Sequence, residues 1–137
     1  LLLREPLVAV LHQNHPLAAS GREKLKFSDL ANQPFVFFSR EVGTALHDEI
    51  LTLLKNAGIT PYITQEVGEA MTIVGLVSAG LGVSILPASF TRIKVDGVCY
   101  RYLDEETAFT EVWLAYSKTR PLSAQATALI NLMIAQP

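Results

Sequence analysis

Residues 66–87 constrain the fold more tightly than any other part of this chain. They read, in order, as the end of a strand, an apolar helix, a glycine turn and a second buried strand. In the helical part Met71, Val74, Val77 and Ser78 fall on one face, with Ala70, Ile73 and Leu76 beside it. A helix that is apolar on most of its circumference is expected to be buried on several sides. Gly80 and Gly82 suit a helix end followed by a tight turn, because glycine enters left-handed backbone conformations at little cost. Residues 83–86 then form a short apolar run, as in a strand covered on both faces, and Pro87 ends it. A strand–helix–strand unit of this kind points to an α/β domain that binds something.

The chain has 137 residues, enough for one domain with a real core. Half of them are hydrophobic (50%) and 18% are charged, which suits a compact folded chain and excludes a disordered one. No apolar run reaches the roughly 18 residues that a membrane span requires. The densest stretch, 73–86, is interrupted by Gly75, Gly80, Gly82, Ser78 and Ser84. Net charge is -2, and the nearest approach to a basic cluster is Arg22, Lys24 and Lys26, with Glu23 among them. Phosphate binding requires concentrated Lys and Arg, so the segment is a poor nucleic-acid binder by itself. Cys99 is the single cysteine, which excludes an intrachain disulfide and fits a reducing compartment, the cytoplasm. The start (Leu1, Leu2, Leu3, Arg4, Glu5, Pro6) has neither an initiator Met nor the charged start and cleavage site of a signal peptide. A piece of a longer protein is therefore expected.

Along the chain, 7–11 reads as a strand and 12–18 turns out of it. Ser28 is placed to cap a short helical turn. Residues 34–38 form a second buried strand, with Phe35, Phe37 and Phe38 as core. Thr44 can cap a helix that runs to Ala57 with Leu46, Ile50, Leu53, Leu54 and Ala57 on its apolar face. Gly58 stops that helix and Pro61 forbids its return. Strands follow at 62–67, 98–103 and 111–116, the second carrying Arg101 among apolar neighbours. The acidic run 104–106 reads as a solvated loop. Pro121 is expected to start a last helix with Ala126, Leu129, Ile130, Met133 and Ile134 on one face. Strands alternating with helices predict a mostly parallel sheet with helices on both faces.

Several of these motifs, taken in order, resemble one family. Glu5-Pro6-Leu7-Val8-Ala9-Val10-Leu11, followed by His15-Pro16-Leu17-Ala18, is similar to the inter-domain crossover of LysR-type transcriptional regulators. Ala57-Gly58-Ile59-Thr60-Pro61 and the glycine-rich unit from Glu69 to Pro87 resemble the effector-binding region of the same family. Glu111-Val112-Trp113-Leu114-Ala115-Tyr116 and the terminal helix fit as well. The resemblance covers essentially the whole chain. It implies a type II periplasmic-binding-protein-like, Rossmann-like α/β fold of two subdomains with a mixed, mostly parallel sheet and a small-molecule cleft. On that reading 5–100 is the second subdomain and 101–137 the returning part of the first. The strand near Glu111 and the last helix would then lack their usual neighbours and leave apolar faces exposed. The DNA-binding domain and the first half of the first subdomain have no counterpart in this sequence.

The candidate ligand loop is Ser39, Arg40, Gly43, Thr44, Ala45 and Leu46, which joins the end of a strand to the start of a helix. Open α/β sheets bind ligands at strand C-termini, and the free amides and dipole of a helix start favour an anion. Against this stands an ordinary capped loop. Arg40 suits a bidentate carboxylate contact, or a plain ion pair with Glu41. Glu69 starts the glycine-rich unit's helix, where a carboxylate complements the dipole in any case; the resemblance also places it beside the cleft. Tyr102 shares a strand face with Tyr100 and stands where the resembling cleft has a wall, although packing accounts for both rings.

His12 and His15 have no third clustered ligand, so no metal site is expected. His47, on the first turn of its helix, is expected to be exposed. Cys99 reads as an inert buried thiol. Ser78 and Ser84 lack the Gly-x-Ser-x-Gly elbow of a nucleophile. No catalytic residue and no cofactor is expected. The resemblance implies an effector-sensing domain that catalyses nothing, self-associates as dimer or tetramer, touches no membrane, and reaches DNA only through a separate N-terminal domain. The alternatives are a solute-binding protein of a transporter and a small enzyme, both of the same fold.

Overall fold

The computed structural model describes residues 1–41 and 44–135, and of Thr44 the backbone only. The chain divides into two compact units, Glu5–Thr110 and a smaller one made of Leu1–Arg4 with Glu111–Pro137. The larger unit extends ten residues past the 5–100 span read from the sequence, since Leu103 and Ala108 are buried in its main cluster.

The elements in order are β1 (Leu3–His12), α1 (Pro16–Ala19), β2 (Lys24–Leu25), a 3-10 turn (Phe27–Leu30), β3 (Pro34–Phe38), α2 (Thr44–Asn56), β4 (Tyr62–Val67), α3 (Ala70–Ser78), β5 (Ser84–Pro87), a second 3-10 turn (Ala88–Arg92), β6 (Val98–Leu103), β7 (Phe109–Val112) and α4 (Ala124–Ala135). In the larger unit the strand order is β2-β6-β1-β5, and β3 and β4 form a parallel pair. Two hydrogen bonds join these groups at Val83. Val36 N–H donates to Val83 O at 2.9 Å, and Val83 N–H donates to Pro34 O at 2.8 Å. The sheet is mixed. β2–β6 and β3–β4 are parallel, whereas β1 runs antiparallel to both β5 and β6. Strand–helix–strand alternation governs only the β3-α2-β4-α3-β5 stretch. β1 enters the sheet from the neighbouring unit, so no crossover helix fixes its direction.

Both faces of the sheet are covered, and strand alternation sorts the side chains. Leu7, Ala9, Leu11, Phe35, Phe37, Val83 and Ile85 join one cluster, together with Ile50 and Leu54 of α2. Val10, Val36, Phe38 and Leu86 join the other, with Ile73, Val74 and Val77 of α3. This two-sided burial is why the strands read as continuous apolar runs. Each fully buried aliphatic side chain contributes about 1.5–3 kcal/mol.

Helix details differ from the sequence reading in four places. His47, Ile50 and Leu54 form the buried rung of α2 at i, i+3 and i+7, so His47 is buried, at 5% exposure. α3 buries one face only, through Ile73, Val74 and Val77, and Met71 is 49% exposed. At the first 3-10 turn the N-cap position is Lys26 rather than Ser28, and the Asp29 carboxylate accepts from Lys26 N–H at 2.8 Å. α4 begins at Ala124 because Ser123 caps it, its hydroxyl accepting from Ala126 N–H at 3.0 Å.

In the smaller unit Leu2 N–H donates to Val112 O at 2.8 Å, and Arg4 lies 3.8 Å from Glu111. The last strand is shorter than the expected 111–116: it ends at Val112, and Trp113 and Tyr116 are each 63% exposed. α4 has no buried residue, and Leu129, Leu132 and Ile134 face outward. No described helix is long and apolar enough to cross a membrane.

Candidate functional site

β3 and β4 run parallel, so both end at the same edge of the larger unit. Just past that edge Ser39 N–H donates to Val67 O at 2.7 Å, which holds the two strand ends together. α2 starts at Thr44 beyond the first strand, and α3 starts at Ala70 beyond the second. The positive ends of a 13-residue and a 9-residue helix therefore lie at one end of the sheet. This is the arrangement in which free backbone amides and aligned dipoles receive an anion.

The side chains at this end suit that role. Ser39 is half-buried, and its hydroxyl accepts from Glu41 N–H at 3.2 Å, which folds the loop back on itself. Arg40 is exposed on the same loop. Ala45 is exposed on the first turn of α2, and Leu46 packs against both hydrophobic clusters, closing the sheet end beneath the loop. Glu69 occupies the N-cap position of α3 with extended backbone (φ -139, ψ 145), yet its side chain makes no capping hydrogen bond. The carboxylate is exposed instead. Gly43 and the side chain of Thr44 lie outside the described residues.

The structure thus brings Ser39, Arg40, Ala45, Leu46, Glu69 and the backbone of Thr44 to one end of one sheet. Tyr102 stands apart from them. It is on β6, and β5 and β1 separate it from β3, three strand spacings or about 14 Å. Tyr102 is 47% exposed, whereas Tyr100 packs against the α3 cluster and donates its hydroxyl to Ile93 O at 3.1 Å. Burial raises the Tyr100 pKa above its ordinary value. Two hollows of about 410 and 450 Å³ flank β6 and share Tyr100, Arg101 and Tyr102.

His47 is the neighbour of the loop that the sequence reading missed as a packed group. Its ring lies 5.1 Å from that of Phe37, and Nδ1 is 3.0 Å from the Asp48 carboxylate. The signal was present in its i, i+3, i+7 spacing to Ile50 and Leu54. Among the described residues no cluster of His, Cys, Asp and Glu could hold a metal ion. His12 Nδ1 accepts from Asn14 N–H, and His15 Nδ1 accepts from Leu17 N–H, so both rings serve turns. Cys99 is half-buried rather than buried, and partial burial pushes its thiol up. Ser78 donates to Asp96 O at 2.8 Å.

The family model for the LysR substrate binding domain matches residues 1–136. The chain is 50% identical over 125 residues, 91% of its length, to the HTH-type transcriptional regulator YnfL of Escherichia coli (strain K12), of which it covers 41%. The effector binding domain of QuiR in complex with shikimate is 30% identical with a TM-score of 0.80, over 97% of this chain and 61% of that one. The BenM effector binding domain with its effector benzoate is 26% identical with a TM-score of 0.72, over 79% of this chain and 50% of that one. The chain spans less than half of the length of YnfL. With the fold, the paired helix starts and the family match in agreement, the chain belongs to the LysR substrate binding domain family.

Proposed function

We propose that this chain senses a small carboxylate for a LysR-type transcriptional regulator. The effector would bind where β3 and β4 end, on the helix starts at Thr44 and Ala70. The observation that carries this reading is the Ser39–Val67 hydrogen bond, which sets two helix N-termini at one sheet edge. Arg40 provides the cation for bidentate contact with the carboxylate, Ser39 and the amides of Thr44, Ala45 and Leu46 provide polar contacts, and Gly43 lets the ligand approach the backbone. Glu69, whose side chain makes no capping hydrogen bond, would accept from a hydroxyl elsewhere on the effector. Tyr102 is assigned a ligand contact only if the effector extends across the sheet end. QuiR and BenM, whose folds this one matches, were solved with shikimate and benzoate.

Residues 5–110 would form the second subdomain of the parent protein, and the rest of the chain part of the first. The effector acts by binding one arrangement of the subdomains better than another, since equal affinity shifts nothing. DNA contact belongs to a separate domain of the parent protein, self-association to dimer or tetramer carries the change, no reaction is catalysed, and the protein works in the cytoplasm. The curated relatives are transcriptional regulators, which supports this reading over a transporter's solute-binding protein.

A thermal-shift screen against aromatic and aliphatic carboxylates tests the proposal. A ligand that binds the native state raises the melting temperature in a concentration-dependent way. The expected hit loses most of its shift in Arg40→Ala and changes its rank order among hydroxylated acids in Glu69→Gln. A hit that both variants leave untouched would move the site elsewhere.

A further inference from the structure

The chain passes between its two units twice, at 4–5 within β1 and at 110–111 within β7. The two strands pair with each other. Leu7 N–H donates to Ala108 O at 2.9 Å on one side of the passages, and Leu2 N–H donates to Val112 O at 2.8 Å on the other. Three side-chain contacts gather at the same place. Arg4 lies 3.8 Å from Glu111, the Ser89 hydroxyl donates to the Glu5 carboxylate at 3.0 Å, and the Thr110 hydroxyl donates to the Glu49 carboxylate at 3.0 Å. Water competes for the first two, because Arg4, Glu111 and Ser89 are exposed. The third is sheltered, since Thr110 is 8% exposed.

Glu49 belongs to α2. It is half-buried and lies about 7.5 Å along the helix axis from Thr44, where α2 begins. Ile50 and Leu54 hold α2 on the sheet by apolar packing, which is non-directional and tolerates a small slide. The Glu49–Thr110 hydrogen bond does not tolerate one, because it fails outside a narrow range of distance and angle. A buried hydroxyl also has no water to turn to when its acceptor moves away. A shift of α2 therefore either draws Thr110 with it or leaves that hydroxyl unbonded.

We propose that the Glu49–Thr110 hydrogen bond is a relay. An effector that settles on the amides of Thr44, Ala45 and Leu46 displaces α2, which moves as one body, and Glu49 carries the displacement to β7 at the residue where the chain leaves the larger unit. The relay rests on the effector site proposed above. Glu49 and Thr110 are positioning residues here and touch no effector.

Backbone amide shifts of the 15N-labelled chain test this in two arms. Thr110→Val keeps the side-chain shape and removes the hydroxyl, and Thr110→Ser restores it. In the first arm benzoate and shikimate are titrated in. The wild-type amides at 109–112 should follow the same binding curve as those at 39–46. Thr110→Val should keep the Kd within about twofold and lose at least about half of the shift at 109–112, while Thr110→Ser keeps it. The second arm uses no ligand. Ala45→Gly loosens the first turn of α2 and should shift the 109–112 amides when Thr110 is present, but not when it is combined with Thr110→Val. If neither acid shifts 39–46, the effector assignment fails and the second arm alone decides the relay. A 109–112 response that Thr110→Val leaves at wild-type size, or its absence from the wild type, overturns the proposal. Should Thr110→Val not fold, Glu49→Ala is read in its place. Failure of both to fold would make the pair a fold-holding contact and overturn its role as a relay.

Discussion

The same substitution, glycine to alanine, should act in opposite directions at two positions of the glycine-rich unit. A Cβ on Gly82 would sit 2.6 Å from Pro34 O and 3.1 Å from Pro34 C, both backbone atoms of β3, at a φ of +158. The chain cannot yield there cheaply, because Val83 N–H is bonded to that same Pro34 oxygen at 2.8 Å. Relief means moving β3 away, which weakens a hydrogen bond worth about 1 kcal/mol. Strained backbone for a residue with a side chain adds about 1–3 kcal/mol. Gly82→Ala should therefore cost about 2–4 kcal/mol, a large share of the roughly 5–15 kcal/mol that holds a domain together. Gly75 lies in the exposed face of α3 with nothing within 4 Å of its would-be Cβ. Gly75→Ala should gain about 0.5–1 kcal/mol from lower backbone entropy in the unfolded chain. Urea unfolding followed by far-ultraviolet circular dichroism measures both. At a typical slope of about 1–3 kcal/mol per molar, Gly82→Ala should lower the midpoint by at least about 0.7 M while Gly75→Ala raises it slightly. A Gly82→Ala midpoint equal to wild type, or a greater loss for Gly75→Ala than for Gly82→Ala, would refute the close-approach reasoning.

Three further expectations concern the core and the loop before the first 3-10 turn. The Ser84 hydroxyl is fully buried and has no hydrogen-bond partner among the described residues, so Ser84→Ala should be neutral or stabilising by about 1 kcal/mol in the same urea assay. Ile50→Ala, at 0% exposure beneath β3, should cost about 2–5 kcal/mol. Asp29 is paired with Arg22 at 2.7 Å and accepts from Lys26 N–H, and these partners, Arg22 first, hold its pKa below the ordinary value. Its stabilisation is complete above its unfolded pKa and is lost as pH falls through the lower folded pKa. Asp29→Asn should thus weaken the fold at neutral pH and flatten the acid limb of a stability-against-pH curve.

The strands and their two-sided burial were legible in the sequence because apolar runs such as 7–11 and 34–38 can be satisfied only between two layers. Gly58 and Gly80 marked helix ends for the same reason that the structure uses them there, with φ of +78 and +82. What the sequence concealed was set by tertiary contact. The antiparallel direction of β1 depends on where the chain enters the unit. The burial of His47 depends on Phe37 lying beneath its ring. Met71 looked like core because α3 is apolar all round, yet the sheet covers only one of its faces. At the candidate site the strand-to-helix loops were visible as composition, but the proximity of Ser39 and Glu69 follows from the parallel pairing of β3 and β4, and the distance of Tyr102 follows from a strand order that no local pattern specifies. Arg101 stands among apolar neighbours in the sequence, and no local pattern specifies that its guanidinium donates to the carbonyls of Ala18, Arg22 and Tyr100.

The most direct test of the central claim is a titration of the 15N-labelled chain with benzoate and shikimate, following backbone amide shifts. If a carboxylate binds at the paired helix starts, the largest concentration-dependent shifts fall on residues 39–46 and 69–72, and Arg40→Ala abolishes them. Saturable shifts confined to β6 around Tyr102, or the same pattern retained in Arg40→Ala, would contradict the claim that this sheet end and its arginine hold the effector.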